Sequence, residues 1–262
     1  MHYIAKNPKN AKVYQKMIKR CKYFFVKNPI LVLSHLSHSQ NGWSTWVNET
    51  WKSIDINKIS AKLWITGLLH VSPANVSNDS VVSSIISKIY QCDFKRLSLD
   101  NQVISLNEFI FLCLSAKYLT LERVTVKNND GTVVAFENII ERLPQLIFFI
   151  FYSFTNPSNN TSKTSFKELW KNPHLSNYDR FYLKNIPENF EIDCFYTYMK
   201  KNKKTRVDLE FSDEVSEEYQ IRLEAIIDEI IATKNHEYKP PLINFPGIDQ
   251  EKYSKLFDIS SG

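Results

Sequence analysis

His35 and His38 stand three residues apart, a spacing at which two imidazoles can share a metal ion. Further ligands would have to come from an acid or a cysteine. None lies nearby in sequence, so a surface loop is the expected setting. Asp208, Glu210, Asp213 and Glu214 form an acidic run. Only Asp208 and Glu210 fall on one face of the strand expected there, where solvated or cross-strand-paired carboxylates are the ordinary outcome. "YTYMKKNKKTR", residues 196 to 206, interleaves Tyr196 and Tyr198 with Lys200, Lys201, Lys203, Lys204 and Arg206. Such a stretch can contact phosphate. A helix C-terminus, where lysines complement the dipole, accounts for the same residues. Trp43, Trp46, Trp51, Trp64 and Trp170 could line a groove, but core packing is the expected role. The chain has five glycines, no G-x-G-x-x-G and no Walker lysine motif, so glycine-built phosphate cradles are not expected. No catalytic residue, metal ligand or cofactor is assigned.

The elements that would position these residues belong to a chain of 262 residues, 43% hydrophobic and 13% aromatic, enough to bury a core. The net charge of +5 permits an acidic partner without demanding one. Cys21, Cys92, Cys113 and Cys194 are widely spaced. With no signal-peptide pattern after Met1, they are expected to be reduced thiols of a cytoplasmic or nuclear protein. The longest apolar run, "LIFFIFYSF" from residue 146, is too short to span a bilayer and reads as a buried strand.

Residues 11 to 27 read as one helix. Val13, Met17, Cys21 and Phe24 follow helical spacing, Tyr14, Ile18 and Phe25 form the adjoining stripe, and Lys12, Lys16 and Lys19 line the other side. The two stripes cannot both face one neighbour, so one is expected to be partly exposed. Asn28-Pro29 ends the helix. A hairpin is expected around Asn48-Glu49. From residue 60, a short alternating strand hands over to a helix six times, with strand cores Leu63-x-Ile65, Leu97-x-Leu99, Leu119-x-Leu121, Phe149-x-Phe151, Phe181-x-Leu183 and Val207-x-Leu209. The second positions are 34, 22, 30, 32 and 26 residues apart, which brackets a leucine-rich-repeat-like unit. A doubly wound sheet shares the alternation, but its ligand turns are glycine-rich and these are not. The expected fold is therefore α/β: an irregular strand-helix solenoid over residues 61–233, ended by a capping helix from Ser216, with a flexible tail over 234–262.

"VYQKMIKRCKYFFVKNP" resembles the closing part of an F-box: the apolar pair Met17 and Ile18, then Cys21-Lys22 and an aromatic, Phe24 or Phe25. "KLWITGLL", "KRLSLDNQVISLNEF", "CFYTYMKKNKKTRVDLEF" and "SEEYQIRLEAIIDEI" are similar to the nematode-expanded family of F-box-like proteins with an F-box-associated, leucine-rich-repeat-like domain. The similarity runs to about residue 240. It implies a non-enzymatic adaptor in which the F-box docks on the Skp-type adaptor of a cullin-RING ubiquitin ligase while the following domain captures a protein target. It assigns residues 1–36 to degenerate or truncated F-box-like helices and 37–60 to a connecting hairpin. A full F-box opens with Leu-Pro or Phe-Pro, and "MHYIAKNP" stands in its place. Ile4, Tyr14, Met17, Ile18, Cys21 and Phe25 are the expected partner-binding residues. No membrane contact is expected, because the polar face of the opening helix is short. Nucleic-acid binding through residues 196–206, and a scaffold with no ligase link, are the alternatives.

Overall fold

The computed structural model describes residues 8–74, 78–152 and 169–262. In chain order the elements are α1 (Ala11–Arg20), α2 (Lys22–Lys27), β1 (Ile30–Ser39), β2 (Gly42–Val47), β3 (Thr50–Ser53), β4 (Lys62–Val71), α3 (Val81–Ile86), β5 (Ile89–Cys92), β6 (Arg96–Asp100), β7 (Val103–Ser105) and α4 (Leu106–Cys113). Then follow β8 (Tyr118–Glu122), β9 (Thr125–Lys127), α5 (Phe136–Glu141), β10 (Phe148–Tyr152), β11 (Arg180–Ile186), α6 (Ile192–Met199), β12 (Arg206–Phe211), α7 (Glu217–Ala232), β13 (Leu242–Asn244) and α8 (Gln250–Ser261). The chain is thus α/β. It divides into two compact units: Met1–Ala116 with Val124–Asp130, and Lys117–Arg123 with Gly131–Gly262.

The first unit holds a mixed sheet. β4 pairs in parallel with β1 on one side and with β5 and then β6 on the other. β2 and β3 extend the β1 edge in antiparallel order. The turn between β2 and β3 places Asn48 and Glu49 at φ 50 and 62, the two positive angles that a tight two-residue hairpin needs. β4 carries a register shift opposite Leu33 and His35. A Cβ on its Gly67 would stand 2.5 Å from the Ser34 carbonyl oxygen, so glycine permits the close approach. α4 starts on a capping box in which Ser105 and Glu108 satisfy each other's backbone amides. The core of the opening helices is Ala11, Tyr14, Ile30 and Trp64, with Ile18, Val32 and Tyr90 packed against it.

The second unit holds a parallel sheet whose strands neighbour one another in chain order, β8, β10, β11, β12, β13. Leu119, Phe149, Phe181 and Val207 lie in one register row, and Leu121, Phe151, Leu183 and Leu209 in the next. All eight are buried. Phe149 stacks on Phe181 with ring centroids 5.5 Å apart.

The left-handed backbone recurs. Asn101, Arg123 and Asn185, at φ 51, 50 and 59, each stand two residues beyond the second apolar residue of a strand core, Leu99, Leu121 and Leu183. An L-residue there ends or kinks its strand, and Asn tolerates the conformation better than most.

Several expectations need correction. The opening helix is two helices, because Cys21 is extended, at φ −150 and ψ 115. Residues 30–36 are not helical: they form the first part of β1, an interior strand of the first unit's sheet. Leu97 and Leu99 pair with Leu69 and Val71 rather than with Leu63 and Ile65, which face Ile89 and Cys92 of β5. Residues 234–262 are not a flexible tail. β13 adds to β12, and α8 begins where the Asp249 side chain accepts from the Lys252 amide at 2.9 Å. Leu242, Ile243, Phe245, Ile248 and Leu256 are buried there. α7 is therefore not the last element. Of "FKELWKN", residues 166–168 lie outside the described residues, and Leu169–Lys171 form a 3-10 turn rather than an α-helix.

Candidate interaction surface

Alternation along the strands of the second unit sends every other side chain to the face opposite the apolar rows. On that face Tyr118, Phe148, Arg180 and Arg206 share one register row. Thr120, Ile150, Tyr182 and Asp208 share the next, and Lys184 and Glu210 belong to the third. Apart from Asp208, these side chains are half-buried or exposed.

The face is organised by cross-strand pairs. Tyr118 and Phe148 rings lie 6.0 Å apart, and the Arg180 guanidinium sits 5.8 Å from the Phe148 ring centroid. Arg180 Nε donates to Asp208 Oδ2 at 2.7 Å, and Arg206 Nε donates to Asp208 Oδ1 at 3.1 Å. Tyr182 Oη donates to Glu210 Oε2 at 2.6 Å, while Lys184 Nζ pairs with Glu210 Oε1 at 3.1 Å. The Asp208 side chain is only 4% exposed. A carboxylate so enclosed is tolerable only because both oxygens accept charged hydrogen bonds. The result is a row of aromatic and cationic side chains held in place by cross-strand contacts.

The first unit has a corresponding face on its own hairpin. Trp46 and Trp51 are a direct cross-strand pair, 5.4 Å between centroids, and His35 lies 6.4 and 6.1 Å from them. Both tryptophans are exposed, so core packing describes Trp64 and Trp170 but not these two. His35 and His38 are in β1 rather than in a loop, and His38 packs against Trp43 at 4.9 Å. Burial pulls the His38 imidazole below its ordinary pKa. Among the described residues no three His, Cys, Asp or Glu side chains are grouped to hold a metal ion.

The partner-binding residues expected at the N-terminus are dispersed. Ile4 lies outside the described residues. Tyr14 is fully buried, and its Oη donates to the Asn28 carbonyl at 2.6 Å. It is a core residue and offers no surface to a partner. Met17 and Ile18 are half-buried, and Cys21 and Phe25 are exposed. Of the two stripes, Tyr14 and Ile18 turn inward, Val13 is 53% exposed, and Phe25 escapes its stripe because of the break at Cys21.

Three of the five cations of the basic segment are ion-paired. Lys200 pairs with Glu229 at 2.7 Å, Lys204 with Asp179 at 3.3 Å, and Arg206 with Asp208. Tyr196 is buried, with its hydroxyl 3.1 Å from that of Tyr238. Sequence reasoning overlooked Tyr118, Phe148, Arg180, Tyr182 and Lys184. The signal was present: they occupy positions flanking or between the apolar residues of the strand cores already identified.

Comparisons of the chain with family models, curated proteins and solved structures find no match.

Proposed function

We propose that this chain is a non-enzymatic protein-interaction module that captures a protein target on the open sheet face of its second unit. The observation that carries this reading is the registered row Tyr118, Phe148, Arg180, Arg206 with its cross-strand partners. Aromatic and Arg side chains fixed in advance lose little freedom on binding, and they are the residue types that dominate protein interfaces. The successive parallel strands read as an irregular leucine-rich-repeat-like solenoid, and α1 and α2 as the remnant of an F-box-like segment. On the resemblance described above, the module serves as a substrate-recognition adaptor of a cullin-RING ubiquitin ligase in the cytoplasm or nucleus. With Tyr14 in the core, Met17, Cys21 and Phe25 are the expected residues left for the Skp-type adaptor. The nucleic-acid reading is weakened by the ion pairs of Lys200, Lys204 and Arg206.

The test is affinity purification of the full chain from cells, beside a Phe148→Ala, Arg180→Ala variant. Recovery of a Skp-type adaptor and a cullin with both forms, and of further proteins only with the parent, is the expected result. If the same proteins come down with both forms, the open face is not the capture surface. If no Skp-type adaptor or cullin is recovered, the ligase link fails and an interaction scaffold remains.

A further inference from the structure

The charge of this chain is unevenly placed. The first 48 residues hold eight Lys or Arg and no Asp or Glu, whereas the remaining 214 hold 25 bases against 28 acids. Six of those cations, Lys12, Lys16, Lys19, Arg20, Lys22 and Lys27, sit on α1 and α2. None is ion-paired among the described residues, unlike Lys200, Lys204 or Arg206 elsewhere.

The same helices expose apolar surface. α2 buries none of its six residues. Val26 is 74% exposed, and Tyr23, Phe25 and Val13 are exposed with it. Ile18, Phe25 and Val26 line a shallow recess bordered by Lys19 and Lys22. Cys21 is the cause: its extended backbone redirects the chain, so that α1 packs inward through Tyr14 while α2 stands outside.

We infer that this helix pair rests on an anionic lipid surface, with Tyr23, Phe25 and Val26 entering the headgroup boundary and the lysines at the phosphates. Apolar and aromatic side chains ringed by lysines, with no carboxylate in the same stretch of chain, are what such a surface recruits. Lysine stems can lie along apolar surface while their ammonium groups stay in the polar layer. A protein partner fits less well. Lysine is depleted in protein interfaces, and five of these six cations are lysines. The hydrogen-bond acceptors that such an interface uses are nearly absent, since Gln15 is the single amide side chain in α1 and α2. A nucleic-acid backbone would satisfy the charges but leave Val13 and Val26 against water. This inference does not rest on the adaptor reading: it assigns to lipid the surface around Phe25 that the adaptor reading gives to a Skp-type adaptor, and it reverses the expectation of no membrane contact because the break at Cys21 leaves α2 outside.

The test is co-sedimentation of the full chain with phosphatidylcholine vesicles, with and without roughly a third of phosphatidylserine. Binding to the anionic vesicles alone is expected, with strong release as salt shrinks the screening length from ~8 Å toward ~3 Å. Lys19→Glu with Lys22→Glu should weaken binding about ten-fold or more. Phe25→Asp with Val26→Asp should abolish it, with unchanged melting curves because these side chains are exposed. Equal binding to both vesicle types, no binding to either, or indifference to the Phe25 and Val26 changes would overturn the inference. So would retention on a Skp-type adaptor or on nucleic acid through these residues without retention on vesicles; the former would leave the adaptor reading standing.

Discussion

Tyr14 and Asn28 are joined by a hydrogen bond of 2.6 Å from the phenol to the backbone carbonyl, and through it α1 is tied to the residue two before β1. The Tyr14 ring also lies 6.4 Å from Trp64, so one side chain serves both packing and chain path. Tyr14→Phe keeps the ring and removes the bond, and should cost about 1 kcal/mol. Tyr14→Asp would place a charge where no water reaches and should cost several kcal/mol, by the usual penalty of about 2–7 for a buried polar group and more for an ion. Val13→Asp, one residue away and exposed, should stay within about 0.5 kcal/mol. Urea midpoints of the three variants would separate the inward side of α1 from the outward side.

Gly67 supplies a second local test. Its missing Cβ leaves room for the Ser34 carbonyl oxygen, which a methyl group would approach to 2.5 Å. The obstacle is backbone in a paired strand, so it cannot swing aside. Gly67→Ala should destabilise by about 1–3 kcal/mol, as overpacking does. Gly42→Ala is the control: it has open space but a φ of +82, so its cost should come from backbone strain alone. Equal stability of Gly67→Ala and the parent would show that β1 and β4 can separate at the register shift.

What the sequence made legible followed strict alternation. Phe149-x-Phe151 and Phe181-x-Leu183 are short strands with one apolar face, and a period of two admits one register only. The hairpin around Asn48-Glu49 was readable for the same reason, from the alternation on either side of the pair, although Glu49 at φ 62 is not a residue that favours such a turn. The break at Cys21 was not readable. Apolar and cationic residues continue through it at helical spacing, and no proline or glycine marks the interruption. The end of the chain failed differently. Leu242–Asn244 is three residues long after two prolines, too short to show a period, and it becomes a strand because β12 offers it a ladder edge. Asp249 capping α8 was the cue that could have revealed the last helix. On the candidate surface, attention to the apolar members of each strand hid the residues between them.

The four thiols should divide into two classes. Cys21 and Cys194 are exposed, and Cys92 and Cys113 are buried. Burial, with Asp93 adding to it, pushes the Cys92 thiol from the ordinary 9.0 up to about 12, and burial drives Cys113 up as well. An aromatic disulfide reagent at neutral pH should therefore modify two thiols in the native protein and four after denaturation. The same shifts fix the sign of the alkaline response. Above pH ~9 the unfolded chain releases these protons while the folded chain keeps them, so stability present below that pH is lost as pH rises toward 12. Each such group contributes a slope of up to about 1.4 kcal/mol per pH unit. Tyr178 and Tyr219, raised chiefly by burial, should steepen the decline above pH ~10. A urea midpoint unchanged between pH 8 and pH 11, where the two thiols together should cost up to ~2.8 kcal/mol per pH unit, would contradict the burial of both thiols.

Asp208 anchors the polar part of the open face. Asp208→Ala would leave Arg180 and Arg206 without their shared acceptor. Both guanidiniums retain access to water, at 41% and 24% exposure, so the cost should be about 1–3 kcal/mol rather than that of a fully buried pair. Arg180→Ala should cost less, since Arg206 still satisfies one carboxylate oxygen. A double-mutant cycle between Arg180 and Asp208, read by urea unfolding, should give a coupling above about 0.5 kcal/mol. Additive losses would mean that the pair is incidental to the shape of the face.

Phe148 and Phe149 are adjacent in β10 and point to opposite sides of one sheet, which makes them the sharpest test of the proposed division of labour. Phe149 is fully buried, with Phe136 at 5.9 Å and Phe181 at 5.5 Å. Truncating it should cost about 3–5 kcal/mol, the sum of lost transfer energy and the cavity left behind. Phe148 lies on the open face between Tyr118 and Arg180, partly wetted already. Phe148→Ala should cost below about 1 kcal/mol of stability, because little area leaves water in the free protein. In a complex that side chain would be covered and would hold the Arg180 guanidinium in place, so its loss should weaken target capture by about ten-fold or more. The two readouts should therefore move in opposite ways: a large shift in urea midpoint with Phe149→Ala, and loss of captured proteins at unchanged midpoint with Phe148→Ala. A Phe148→Ala protein that is unstable, or one that recovers every protein the parent does, would make the outward row part of the scaffold rather than the surface that binds.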